Sequence, residues 1–231
     1  MDVSLAFVGD SDIHYWPSKV LPTLDGVVPV AAVSGHSGAS LSETLPYLRK
    51  VLKNHGSSQR LIIVACAGEN DIGDDISLDS SLIAMRQFLD AIFSNEKEPS
   101  KHHHLIFLGP KFEPWLEDDP WYSKMLSVFS PCCEEDDDSD QDDDSSYKKS
   151  YIKMSRAFSQ CCEKHDNADQ IKFIDCLTMF CGDTATIPEA VLEGTAKADS
   201  KYFAGDRLHL SIDGYKVWQQ VVQERIKEII S

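Results

Sequence analysis

Residues 3–11 read Val3-Ser4-Leu5-Ala6-Phe7-Val8-Gly9-Asp10-Ser11, an apolar run that stops at a glycine and turns polar. A short apolar run ending this way predicts a buried strand that delivers its C-terminal end to a surface. In open α/β sheets that edge is where ligands bind. A serine placed there has two readings: it caps the helix that follows, or it does chemistry. The rest of the chain decides between them.

Four more runs share the pattern. Val27 to Val33 is the second, and Pro29 within it places that strand at a sheet edge. It ends on Ser34-Gly35. Leu61 to Ala67 is the most hydrophobic run, as expected of a central parallel strand, and it ends on Gly68-Glu69-Asn70-Asp71. Leu105 to Leu108 and Ile171 to Cys176 are the fourth and fifth. Between them lie helical patterns. Ser40 with Glu43 forms a capping-box signature ahead of Leu41, Leu45, Leu48 and Leu52. Leu82, Met85, Leu89 and Phe93 recur at helical spacing, and a helix with Ile152, Ala157 and Phe158 precedes the fifth strand. A final helix from Leu210 has Val217, Val221, Ile226 and Ile229 as its expected apolar side, and 182–205 reads as loop. Five strands alternating with helices predict a parallel sheet in a three-layer α/β/α sandwich, one domain over residues 1–231.

An acidic low-complexity insertion interrupts it at about 130–146. Nine of the eleven residues from Glu134 to Asp144 are acidic and none is basic, which leaves −7 of the net −16 for the rest of the chain. Like charges this dense cannot bury apolar surface and are expected to stay solvated. Asp136, Asp138 and Asp140 alternate as in a calcium loop. Gln141 replaces the turn glycine and Tyr147 the bidentate glutamate, so that reading fails. An acidic body argues against nucleic acid as a partner. No apolar run is long enough to span a bilayer. The seven cysteines include no CxxC pair, and no secretory signal is visible, so reduced thiols in the cytoplasm are expected. His102-His103-His104 is expected to be a solvated run, and no metal is assigned to it. Trp115, Trp121 and Tyr122 either line a pocket or pack under a loop.

Three strands thus end in small or polar residues at one edge, and Asp206-Arg207-Leu208-His209 stands before the last helix. Acyl transfer needs a nucleophile, a base, a group that orients the base, and donors aimed at the developing oxyanion. Ser11, His209 and Asp206 fill the first three roles. The backbone N–H groups of Ser11 and Gly35 and the Asn70 side-chain amide are suitable oxyanion donors. A nucleotide or flavin binder would need a phosphate-cradling loop after the first strand. Asp10-Ser11-Asp12 offers two negative charges there instead.

In this order, Gly9-Asp10-Ser11, Ser34-Gly35, Gly68-Glu69-Asn70-Asp71 and Asp206 to His209 resemble the signature blocks of the SGNH (GDSL-type) hydrolases. The resemblance spans nearly the whole chain. It implies a flavodoxin-like sheet and serine esterase, lipase, thioesterase or deacetylase chemistry on a small-molecule ester, with no metal or other cofactor. An acyltransferase on the same machinery and a non-catalytic module of the same fold are the alternatives. Asp12 departs from the pattern, since the family usually has an apolar residue there. A carboxylate at that position would disfavour anionic substrates or point to solvent. The 112–146 stretch is also atypical. The sequence leaves the substrate and the oligomeric state open.

Overall fold

The computed structural model describes residues 3–55, 60–93, 103–114, 144–181, 188–193 and 197–231. Most of the acidic tract, Cys132 and Cys133, and Trp115, Trp121 and Tyr122 lie outside the described residues.

Five parallel strands form one sheet in the order β2-β1-β3-β4-β5: β1 (Val3–Gly9), β2 (Val30–Gly35), β3 (Arg60–Cys66), β4 (His104–Leu108) and β5 (Ile171–Ile174). The helices are α1 (Ser11–His14), α2 (Leu41–His55), α3 (Glu69–Gly73), α4 (Leu78–Phe93), α5 (Asp144–Glu163), α6 (Pro188–Leu192) and α7 (Ile212–Ile230). The sheet separates two cores, because alternate strand side chains point to opposite faces. Ala6, Val8, Ile63, Ala65 and Phe107 join α2, α4 and α5 on one side. Phe7, Ile62, Val64, Ile106 and Leu108 join Trp16, Phe180 and α7 on the other. This is the expected three-layer α/β/α sandwich with a flavodoxin-like sheet. Among the described residues no helix is long and apolar enough to cross a membrane.

The second strand begins just after Pro29, which lacks an N–H but offers its carbonyl to the Leu5 N–H at 2.8 Å, and it runs on through Gly35. It is the edge strand, with Val33 half exposed. Ser40 and Glu43 make the back-reaching half of the capping box, in which the Ser40 N–H donates to Glu43 Oε2 at 2.9 Å.

Four expectations need correction. The inward stripe of α7 is Tyr215, Trp218, Val222 and Ile226, with Val217 and Val221 at its flank. The large rings bury more apolar surface than the valines and set the helix rotation. His103 is buried instead of solvated: its Nδ1 accepts the Leu61 N–H at 3.2 Å, and His104 pairs with Arg60. The stretch 182–205 contains α6 and a 3-10 turn at Ser200–Tyr202. The helix α5 starts at Asp144, inside the range assigned to the insertion.

Register positions the site. Gly9 pairs with Gly35 on one side and Cys66 on the other, and Cys66 pairs with Leu108. The segments after β1, β2, β3 and β4 therefore leave the sheet side by side.

Candidate active site

The chain turns into α1 at Asp10, which is the N-cap: its Oδ1 accepts the Asp12 N–H at 3.0 Å. Ser11 is therefore the first helical residue and not the cap. Its own N–H has no helix carbonyl to meet, as at every helix start. Among the described residues its hydroxyl has no hydrogen-bond partner, which leaves it open to a substrate.

The first turn of α3 comes next. Gly68 precedes it at φ +122°, a conformation only glycine adopts easily. Asn70 Nδ2 donates to the Ala39 carbonyl at 3.1 Å, which fixes the amide and leaves its second N–H for another acceptor. Asp71 serves structure. Its Oδ2 accepts the Leu41 N–H at 2.8 Å at the start of α2, and its Oδ1 accepts the Ser81 hydroxyl at 2.9 Å.

The turn before α7 carries the third part. Asp206 Oδ1 accepts the N–H groups of Leu208 and His209, each at 3.0 Å, and Oδ2 lies 2.7 Å from His209 Nδ1. Arg207 sits in the left-handed region at φ 61°, so the chain doubles back and one carboxylate serves both purposes. Partial burial works against the Asp206 charge. The bonds from His209 and the two amides outweigh it and hold the carboxyl below its ordinary range. The edge of Tyr15 supports the imidazole, with ring centroids 4.8 Å apart. Arg207 reaches across to the Pro114 carbonyl at 2.6 Å.

Ser11, Asn70, Asp206 and His209 line one cavity of 310 Å³, with Leu208, Tyr147 and Tyr151 among its other walls. Gly35 does not line it. That glycine stands behind α1, where an added Cβ would come within 2.1 Å of the His14 nitrogen, and its carbonyl accepts from His14 Nδ1 at 3.1 Å. His36, on the same strand end, meets the Ser34 hydroxyl and stacks on Tyr47.

The cavity floor holds what the sequence did not reveal. Asp12 is buried and points to no solvent. Its Oδ2 meets Lys111 Nζ at 2.7 Å, and the same ammonium donates to Glu69 Oε2 at 2.8 Å and Glu113 Oε1 at 2.9 Å. Burial raises the carboxyls of Asp10 and Asp12, and it pushes Glu69 up to about 7 against the opposing pull of Lys111. Burial also disfavours the Lys111 charge. Asp12, Glu113 and Glu69 more than offset it and keep the ammonium protonated. Tyr151 closes the floor through Glu113, and Tyr215 donates to the Asp12 carbonyl at 2.9 Å. Asp10, Asp12 and Cys66 offer three ligand atoms within 4.8 Å of one another, among the described residues. Lys111 already supplies the cation on Asp12, so a divalent ion there would stand beside a like charge.

No family model and no curated protein matches the chain. Solved structures do. One is Est24, a carbohydrate acetylesterase from Sinorhizobium meliloti, at TM-score 0.62 and 13% identity over 98% of this chain and 99% of that one. The chain has an SGNH hydrolase-like fold. A member of the lipolytic G-D-S-L family from Veillonella parvula aligns at TM-score 0.55 and 16% identity, covering 95% of this chain and 97% of its own. A carbohydrate esterase family 3 protein from Talaromyces cellulolyticus aligns at TM-score 0.63 and 13% identity, covering 99% and 98%. At these identities the likeness is one of fold, a five-stranded parallel sheet with helices on both faces.

Proposed function

We propose that this chain is a serine hydrolase that cleaves carboxylic or thio esters through an acyl-serine intermediate. Ser11 Oγ attacks the ester carbonyl while His209 Nε2 takes its proton. Asp206 holds Nδ1–H toward itself, which fixes the tautomer and stabilises the imidazolium. The oxyanion is met by the Ser11 N–H and the free N–H of Asn70, since Gly35 stands behind α1 and outside the cavity. His209 returns its proton to the leaving alcohol or thiol. Water, deprotonated by the same imidazole, then attacks the acyl-serine; the C–Oγ bond breaks, His209 returns the proton to Ser11 Oγ and the acid leaves.

The observation that carries this reading is the 2.7 Å Asp206–His209 pair in one cavity with Ser11 and Asn70. A cavity of 310 Å³ suits a small acyl ester. Lys111, the one lysine or arginine lining it among the described residues, is fully engaged with carboxylates, which favours a neutral substrate over an anionic one. Similarity to carbohydrate acetylesterases makes acetylated sugars the first candidates. Free Cys66, Cys161, Cys162, Cys176 and Cys181 support a reducing compartment, the cytoplasm.

The test is a panel of p-nitrophenyl esters, thioesters and acetylated sugars, together with a fluorophosphonate probe. Labelling at Ser11, and loss of label and turnover in Ser11→Ala, is the expected result. Undiminished turnover in Ser11→Ala would exclude the mechanism.

A further inference from the structure

Lys111 is the most deeply buried cation among the described residues, with only 1% of its side chain exposed. All three of its ammonium donors are taken, by carboxylates of Asp12, Glu69 and Glu113. Its backbone N–H also donates to Glu69 Oε1 at 2.8 Å. Glu69 is therefore gripped through both oxygens by one residue. Buried ion pairs are weak sources of net stability, because desolvation consumes most of the attraction. They fix geometry well, since each partner is left unsatisfied if it moves.

The geometry fixed here has a particular address. Asp12 directly follows Ser11, and Glu69 directly precedes Asn70. These are the two cavity-lining residues that carry the proposed oxyanion donors. Lys111 follows β4 and reaches both, so one ammonium ties the start of α1 to the start of α3. It also separates the Asp12 and Glu69 carboxylates, whose charges would otherwise oppose an oxyanion forming beside them. Among the described residues, the titratable groups that face this cluster include Asp10, Cys66, Glu113, Tyr151, Tyr215 and the His209 imidazole.

We propose that Lys111 is a positioning residue for the oxyanion hole, acting through Asp12 on Ser11 and through Glu69 on Asn70. The proposal rests on the reading of Ser11 as nucleophile. It does not require Lys111 to touch the substrate.

Two readouts test it: the rate at which a fluorophosphonate labels Ser11, and kcat and KM on p-nitrophenyl acetate. Lys111→Met strands three buried carboxylates and is the variant at risk of not folding. Glu69→Ala leaves the ammonium on Asp12 and Glu113 and is the decisive one. Its labelling rate and kcat should fall about tenfold or more while KM stays within about twofold. Asn70→Ala should cost far less in the Glu69→Ala background than in the wild type, because the amide has already lost its position. Wild-type labelling and kcat in Glu69→Ala, or fully additive losses with Asn70→Ala, would overturn the proposal. A role in stability alone would lower the melting temperature and leave kcat per labelled site unchanged, which also overturns it. Failure of the wild-type protein to label at Ser11 would sink the hydrolase reading and this inference together. A labelled wild type with an unaffected Glu69→Ala would sink the inference alone.

Discussion

His209 Nδ1 lies 2.7 Å from Asp206 Oδ2, while the other oxygen of that carboxylate takes the amide of His209 itself. The contact between the two groups is thus set within one turn of four residues, while Tyr15 supports the ring from outside it.

This division of labour predicts how Asp206→Asn behaves. The variant keeps an oxygen for the turn amides but presents an NH2 group to the ring, which favours the wrong tautomer. The Asp206 side chain is 49% exposed, so water stabilises part of the imidazolium charge in its absence. Asp206→Asn should therefore lose less kcat/KM than His209→Ala, measured on the same ester. The reverse order would reject the orienting role.

Gly35→Ala tests the strand end behind Ser11, the proposed nucleophile. The new Cβ would fall 2.1 Å from the His14 nitrogen and 2.5 Å from its Cα, both backbone atoms that cannot rotate away. The first helix, which begins at Ser11, must shift to admit it. Stability should drop by about 1–3 kcal/mol, the usual range for overpacking, and kcat should fall with it. A thermal melt and a kinetic run on one preparation suffice. Normal kcat in this variant would mean that α1 tolerates the displacement and that Ser11 is not finely placed.

The sheet was legible in the sequence because its evidence is local: four of the five strands are apolar runs that end at or next to a glycine, and the Asp-x-x-His turn is four residues long. The floor of the cavity was not. Lys111 meets Asp12 from 99 positions away and Glu69 from 42, and nothing near it marks the lysine as buried. Asp12 was visible only as a departure from pattern, with its partner unknown. The face of α7 was misread because valines occupy neighbouring positions on two stripes. Only the packing of Tyr215 and Trp218 beneath the sheet selects one of them. The same blindness to long-range pairing hid the hydrogen bond from Leu61 to His103.

The buried floor also predicts an unusual pH response. Glu69 in the folded chain keeps its proton up to about 7, against an ordinary value of 4.5. Between those values the folded state binds more protons than the unfolded state, so stability falls as pH rises through the window. Asp10 and Asp12 are raised in the same direction and add to the slope. Lys111 is raised too, with the same sign of pH dependence in a different window. Its raised value stabilises the fold below the ordinary lysine range, and that stabilisation is lost only at strongly alkaline pH. Melting temperature should therefore decline between about pH 5 and about pH 8. Glu69→Gln should flatten that decline. An unchanged slope in the variant would show that Glu69 is ionised throughout.

Asn70 is where structure and chemistry make separable demands on one side chain. One N–H of its amide is spent on the Ala39 carbonyl, and the residue lines the cavity, where the other is the proposed oxyanion donor. Losing the first bond leaves a backbone carbonyl unsatisfied and costs about 1 kcal/mol of stability. Losing the second removes a donor that matters only when the oxyanion forms, which typically costs ~10²–10³ in kcat, about 3–4 kcal/mol of transition-state energy. Asn70→Ala should accordingly lower the melting temperature slightly and kcat greatly, with KM little changed. Asn70→Asp separates the two demands further. Its carboxyl cannot keep an N–H on Ala39 and donate to an oxyanion at once, and when ionised it repels one. It should therefore be at least as inactive as Asn70→Ala on the same ester. Near-normal kcat in Asn70→Ala, in a protein that melts early, would leave Asn70 a turn residue. The Ser11 amide would then be the remaining proposed donor to the oxyanion.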